Sequence, residues 1–389
     1  MRVVLDARAI GPHFPGIGRA TLGLLRGLVS VEHDEQVVVV HNSAQWDLIE
    51  QTGASKDGRF RLAAVEHPPL GMAQQWGLLG FKRAVRANLW HAPYYLHPHF
   101  GLPPTVVTIG DLIGPSDAET SGMRDTLVDA ARRLLWRMAM RLSVRGAAHI
   151  ITYSASARRE LESAYALPPN RITVIPLGTD EHFQPQSCQT SAALRARYAL
   201  PERYVLYLGS NKPHKNLRSL VEAWSMVALG LREEAGEVPL SLVIAGREDP
   251  RFQSARTRVA ELGLDRCVRF LPDVPDADLP ALLGGALVFV FPSLAEGFGL
   301  PPLEAMACGT PVIASDRDSI PEVVGDAGLL VEPRPPALAA ALQRLIDDDG
   351  LRRELSVRGL RRAAQFSWAS TARATLDVYR AVAGRGADG

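Results

Sequence analysis

A chain of 389 residues is longer than one hydrophobic core ordinarily serves, so two domains are the expectation. The composition, 47% apolar and 22% charged, is that of a soluble globular protein, and a formal charge of +1 excludes nucleic acid as a bulk electrostatic partner. Three distant cysteines, Cys188, Cys267 and Cys308, have no CxxC spacing and suggest a reducing compartment without a metal site. The opening MRVVLDARAI lacks a signal peptide's long apolar segment, and no run of about 18 apolar residues is present to span a membrane. A cytoplasmic protein is expected, with peripheral contact at an anionic membrane left open.

Residues 3–5 read as a buried first strand, followed by a loop to Gly18 and a helix from about residue 19 to 29. The loop holds Gly11, Gly16 and Gly18. A glycine loop between strand and helix is the geometry of a phosphate cradle, and a tight turn explains it equally well. Residues 37–41 form the second strand, and 73–89 has the pattern of an amphipathic helix. Short strands follow at 89–91 and 105–109. Between them HAPYYLHPHF crowds His91, His97 and His99 with Tyr94 and Tyr95. These lack the spacing of a zinc site and read as a pocket wall able to hydrogen-bond an acceptor sugar.

Residues 125–145 are strongly helical, with apolar positions at Leu127, Ala131, Leu134, Leu135, Met138 and Leu142. Arg133, Arg137, Arg141 and Arg145 recur every fourth residue, as a solvated face or a membrane-docking stripe. A strand at 149–153, a helix at 154–165 capped by Ser154 and a strand at 172–176 close the first half. The polar, proline-bearing stretch 183–192 is the linker candidate. The pattern then restarts with a helix at 193–199, a strand at 204–208, the loop GSNKPHKNL, a helix at 217–229 and strands at 240–245 and 268–271. Strand and helix alternation twice over predicts two doubly wound sheets, residues 1–184 and 193–367.

The stretch 287–315, LVFVFPSLAEGFGLPPLEAMACGTPVIAS, reads as strand, glycine loop, short helix and strand. Pro301 and Pro302 suit a helix's first turn, where a missing N–H costs nothing, and Gly309 closes the helix. Glu296 falls in the loop and Glu304 in the helix's first turn. A helix N-terminus attracts phosphate, and a carboxylate beside it can accept hydrogen bonds from sugar hydroxyls. One such glutamate would ordinarily be a solvated or dipole-complementing residue. Two flanking Gly297-Phe298-Gly299-Leu300-Pro301 point to a ligand. Lysine is rare, at Lys56, Lys82, Lys212 and Lys215 only, so the two lysines of the 209–217 loop call for a reason. Lys215 can meet a diphosphate as a point charge.

EGFGLPPLE resembles the E-x7-E signature of the retaining glycosyltransferases of family 4, which have the GT-B fold. The resemblance extends to PHKN, to ITYSASARREL and VIPLGTD, and to SIPEVVGDAGLLVEP at 319–333, the expected wall beside the nucleobase. It implies that Glu296 contacts the donor sugar, Glu304 the ribose, and Lys215 the diphosphate. The glycine pair of that family is matched by Gly16 and Gly18 in PGIGR. Where family members place an arginine before the lysine this chain has Ser210, with Lys212 as an alternative second cation. Where they place a histidine after the strand at 105–109 it has Gly110, followed by Asp111. In related enzymes that histidine lies beside the donor sugar's 6-hydroxyl, so its loss suggests a 6-deoxyhexose donor or an acceptor that fills the vacated space, unless His91 or another histidine of the 91–99 loop replaces it. Asp316-Arg317-Asp318 resembles a metal-binding DxD but falls in the wrong architecture, and reads as a solvated loop. In GT-B folds the closing helix, here about 368–384, crosses back to the first domain.

The expected protein is thus α/β, with two Rossmann-like domains facing across a cleft. Its expected activity is metal-independent, retaining transfer of a mannose-like or 6-deoxyhexose unit from a nucleotide diphosphate sugar to a saccharide or lipid-linked acceptor. Glu296 and Lys215 are the catalytic candidates, with Gly16, Gly18, Ser210, Lys212, Gly297, Phe298, Gly299, Leu300 and Glu304 at the donor. His91, Tyr94, Tyr95 and Asp111 are the acceptor candidates, and no cofactor is expected. A sugar-nucleotide-binding protein without turnover and a glycogen- or sucrose-synthase-like glucosyltransferase are the alternatives. A phosphorylase of the glycogen type would need a lysine for pyridoxal phosphate, and the last third of the chain has none.

Overall fold

Valines 37–40 are all buried, and runs of this kind form strands because β-branched side chains pack well on a pleated surface covered on both faces. The chain's computed structural model describes residues 1–11, 15–66, 81, 85–95, 97, 103–114, 127–228, 240–272 and 274–385. It divides into two units. The first gathers Met1–Pro115, Asp125–Gly178 and Phe366–Gly389, and the second is built on Thr179–Gln365.

The first unit holds one parallel sheet of β1 (Arg2–Asp6), β2 (Gln36–His41), β3 (Phe60–Ala64), β4 (Leu89–Ala92), β5 (Thr105–Thr108), β6 (His149–Thr152) and β7 (Ile172–Val174). Their order is β3-β2-β1-β4-β5-β6-β7, so the winding reverses between β1 and β4. The edge strand β3 has half-exposed positions and no apolar run, which is why the sequence pattern missed it. Its helices among the described residues include α1 (Pro15–Ser30), α2 (Trp46–Glu50), α3 (Leu127–Gly146) and α4 (Ala155–Tyr165). Ser154 accepts the Ala157 N–H at 3.1 Å and caps α4 as expected. The expected helix at 73–89 falls largely outside the described residues. Gly16 and Gly18 are not in a loop: α1 starts at Pro15, so both lie in its first turn, where proline's fixed φ suits helix initiation.

In the second unit come α5 (Cys188–Arg197), β8 (Tyr204–Leu208), α6 (Leu217–Ala228), β9 (Ser241–Ala245), α7 (Ser254–Glu261), β10 (Val268–Leu271), α8 (Leu279–Gly284) and β11 (Val288–Phe291). They continue with α9 (Leu300–Ala307), β12 (Val312–Ser315), α10 (Ile320–Val324), β13 (Leu329–Val331), α11 (Pro335–Asp347) and α12 (Asp349–Ala363). The six parallel strands run β10-β9-β8-β11-β12-β13, reversing between β8 and β11. The polar stretch 183–192 is not a free linker. Ser187 accepts the Thr190 N–H at 3.1 Å and caps α5, so its polar residues start a helix.

The last helix, α13 (Trp368–Arg385), belongs to the first unit. Trp368 is admitted by missing side chains: a Cβ on Gly23 would lie 2.1 Å from its ring, and one on Gly27 2.2 Å from its carbonyl oxygen. Ala372, Leu376, Tyr379 and Val382 then join Val3, Leu5, Leu25 and Leu28 in one core.

Candidate active site

In an open parallel sheet, ligands bind beyond the carboxyl ends of the strands at the point where the winding reverses. In the second sheet that point lies between β8 and β11. The loop leaving β8 carries Lys215, and the loop leaving β11 carries Glu296. Their side chains meet: Lys215 Nζ donates to Glu296 Oε1 at 2.5 Å, with only 16% and 12% of the two side chains exposed. Lys215 Nζ also lies 5.4 Å from the centroid of the Phe291 ring.

Both loops are braced by groups that sequence reasoning missed. Ser293, fully buried, donates its hydroxyl to Glu296 Oε1 at 2.5 Å. Asn216, at φ 58, donates its side-chain amide to the carbonyls of Pro292 at 3.1 Å and Pro333 at 2.8 Å, tying the lysine loop to both neighbours. Leu294 N–H reaches the His214 carbonyl at 2.7 Å. Burial, with the Lys215 ammonium beside it, holds the His214 imidazole down at about 4. The buried Ser319 hydroxyl lies 2.8 Å from the Glu296 carbonyl and 2.9 Å from that of Phe298. Asp318 is exposed, as expected of a solvated loop, yet its Oδ2 accepts the Glu296 N–H at 3.1 Å. The residues that brace Glu296 therefore come from three loops, and no single motif announces them.

Gly299 sits at φ 111, ψ 54 just before α9, a conformation that excludes other residues on backbone grounds whatever the space around them. Two of the first three residues of α9 are Pro301 and Pro302, which lack an N–H. The amides near a bound anion at that end are therefore those of the loop and Leu300, not a full helical turn. Phe298 is buried under the same loop. Glu304 corrects an expectation: it is the fifth residue of α9, not in its first turn, and is only 3% exposed. It lies beside Cys308, whose thiol is pushed up to about 12 by burial and by that carboxylate. Ser210 accepts the Tyr207 hydroxyl on its carbonyl at 2.8 Å, and Lys212 is exposed at the start of the 213–215 turn. Among the described residues no group of three or more His, Cys, Asp or Glu is placed to hold a metal ion.

The first unit gathers a second set. His91, on β4, is 1% exposed and held on both sides, Nδ1 2.6 Å from the Tyr379 hydroxyl and Nε2 2.8 Å from Thr108 Oγ1. Burial lowers its pKa to about 3. Both nitrogens are engaged inside the first unit, so a contact from His91 to a sugar would have to break one of these bonds. Tyr94 and Tyr95 pack ring to ring at 4.1 Å, and Tyr95 meets Trp136 edge-on at 6.2 Å. Asp111 Oδ1 accepts the Ile113 N–H at 3.0 Å, and its charge raises the Tyr94, Tyr95 and Tyr153 phenols beyond what burial does. Tyr153 explains Gly110, because a Cβ there would lie 2.8 Å from its ring. His97 is buried, and His99 lies outside the described residues. Gly16 is exposed with open space around its Cα, whereas the Cβ site of Gly18 lies 3.5 Å from the Gly11 nitrogen.

Residues 15–178 match the profile described as Glycosyl transferase 4-like domain, and 193–362 match Glycosyl transferases group 1. The O-antigen chain mannosyltransferase B of Escherichia coli is 32% identical over 398 residues, spanning 98% of this chain and 100% of that one. The chain belongs to the group 1 glycosyltransferases. Another relative, the MMP alpha-(1->4)-mannosyltransferase of Mycolicibacterium hassiacum, is 35% identical over 236 residues, 59% of this chain and 53% of that one. Among solved structures, Anabaena Alr3699/HepE in complex with UDP-glucose superposes with a TM-score of 0.75 at 18% identity, covering 98% of this chain and 100% of that one. A glycosyltransferase from Rickettsia africae gives 0.74 at 16%, with 98% of both chains covered. These likenesses show a GT-B fold, and the group 1 membership makes the protein a glycosyltransferase.

Proposed function

We propose that this glycosyltransferase moves a mannose-like hexose from a nucleotide diphosphate sugar to a saccharide or lipid-linked acceptor in polysaccharide assembly, with retention and without a metal. The observation that carries the reading is the Lys215–Glu296 pair at the reversal of the second sheet. An ammonium held within a partly desolvated loop is a fixed cation for a departing diphosphate, needing no reorganisation when charge develops. Glu296, steadied by Ser293 on its carboxylate and by Asp318 and Ser319 on its backbone, faces the sugar, and Glu304 the ribose. Gly297, Gly299 and Leu300 supply loop amides. Tyr94, Tyr95 and Asp111 remain the acceptor candidates, and His91 does not. The mannosyltransferase names of two relatives favour mannose over a 6-deoxy sugar.

The test is a donor panel of GDP-mannose, GDP-rhamnose, GDP-fucose, dTDP-rhamnose and UDP-glucose with a mannose-terminated acceptor, before and after exhaustive chelation. Transfer from GDP-mannose in EDTA, giving an α-linked product by NMR, is the expected result. Loss of activity on chelation, restored by manganese, removes metal independence, and a β-linked product removes retention. Donor binding without transfer or hydrolysis makes the protein a binding module.

A further inference from the structure

Helix α3 is apolar on two opposite sides, and among the described residues only one of them joins a hydrophobic core. Met140, Ser143 and Val144 are buried, and Met140 and Val144 pack with Val107, Ile109, Ile150, Leu161 and Ile172 in the first unit's core. On the other side Leu127 is 91% exposed, and Leu134, Leu135, Met138 and Leu142 are each more than half exposed. At about 100° per residue these five and the exposed Ala131 fall within one arc of roughly 100°, opposite the buried side. The large apolar side chains exposed among the described residues are ten, and five are on this face. A surface helix normally turns polar residues outward, so a continuous apolar outer face marks a contact.

The charges say with what. The helix has five arginines, Arg132, Arg133, Arg137, Arg141 and Arg145, against a single acid, Asp129, in a chain whose net charge is +1. Arg137 and Arg141 are exposed and flank the apolar arc on one side, and the exposed Arg145 continues it at the C-terminal end. Leu and Met side chains with no polar group among them offer a partner nothing directional, which suits fluid acyl chains better than a protein surface. A rim of guanidinium groups at their edge suits phosphate headgroups.

We propose that α3 is an interfacial anchor that lies flat on an anionic phospholipid bilayer, its Leu–Met face in the acyl boundary and Arg137, Arg141 and Arg145 at the phosphates. The proposal is independent of the donor site. It differs from a purely basic docking stripe, because the apolar face must enter the lipid and salt alone cannot release the protein fully.

The intact protein is sedimented with vesicles of phosphatidylcholine alone and of equal parts phosphatidylcholine and phosphatidylglycerol. Binding to the anionic vesicles, weakened but not abolished by salt, is expected. The triple variant Leu134→Ser, Leu135→Ser, Met138→Ser should lower partitioning at least about tenfold, with an unchanged melting temperature because these side chains leave the fold's own core untouched. Arg137→Glu with Arg141→Glu should lower it comparably and remove the preference for phosphatidylglycerol. Equal binding by the serine variant and the parent would overturn the proposal, as would no vesicle binding by the parent. A parent that sediments as a dimer, is made monomeric by the serine variant and ignores vesicles assigns the face to a second copy and overturns it as well.

Discussion

Lys215 and Glu296, 81 residues apart, complete each other's charge inside a site where each side chain is more than four-fifths buried. Ser293 is the second donor to the same carboxylate oxygen. Breaking such a pair leaves a desolvated charge, which costs more than the pair's net worth. Lys215→Met should destabilise the protein by about 2–3 kcal/mol, and Glu296→Gln by less, because the amide oxygen keeps the Ser293 bond. The double variant should recover most of that loss while transfer stays at least about a hundredfold down. Urea unfolding curves and initial rates on the four proteins check this, and additive stability losses would contradict it.

Ser293→Ala removes the hydroxyl that orients Glu296 without touching the ligand space. Turnover should fall about ten- to a hundredfold with KM little changed, and stability by about 1 kcal/mol. A KM effect alone would assign Ser293 to donor binding.

Because Glu304 is buried in α9, its replacement is not a surface substitution. Glu304→Ala should lower stability by about 2 kcal/mol through a cavity and stranded partners, confounding any activity loss. Glu304→Gln keeps the volume and should keep the fold while weakening nucleotide affinity. Calorimetric titration with the free nucleotide diphosphate, beside the melting curve, separates the two effects.

Gly110 and Tyr153 are matched in shape. Gly110→His, which would restore the family's residue, should cost about 1–3 kcal/mol through overlap with the Tyr153 ring, and adding Tyr153→Ala should return most of it. Thermal unfolding of the three variants decides, and a Gly110→His protein of parental stability would show that the ring moves aside at no cost.

His91 gives the first unit an acid liability. Its pKa falls from 6.5 to about 3 on burial, so below pH 6.5 the unfolded chain binds a proton that the folded chain refuses. Its share of stability is therefore whole above pH 6.5 and is lost as pH falls toward 3, at about 1.4 kcal/mol per unit. Between pH 6.5 and 5, above most carboxylate titrations, His91→Gln should flatten the slope of unfolding free energy against pH even though it lowers the absolute value. Parallel slopes would place the proton elsewhere.

The buried strands were legible because a parallel sheet covered on both faces needs unbroken apolar runs, and 204–208 comes out to the residue. Glu296 and Lys215 were legible through motif and rarity. Asn216 and Ser319 were not, since each acts on a loop distant in sequence, and Ser293, three residues from Glu296, carries no periodic signal. Helix α3 shows the limit of periodicity: Leu127, Leu134, Leu135, Met138 and Leu142 form an orderly apolar stripe, yet the core takes Met140 and Val144 from the opposite side. A pattern of amphipathicity says that a face wants to leave water, not where it goes. His91 misled for a related reason, because a polar residue among apolar ones reads as a ligand until its two internal partners are seen.

The seating of α13 beside α1 sets an order of events during synthesis. When residue 178 leaves the ribosome, the first unit still lacks Trp368, Ala372, Leu376 and Tyr379, and Gly23 and Gly27 face an empty groove. The second unit, whose core needs nothing beyond residue 365, can finish first although it is made later. Any nascent chain stalled before residue 368 therefore displays an incomplete apolar cleft, a natural handle for chaperones and proteases.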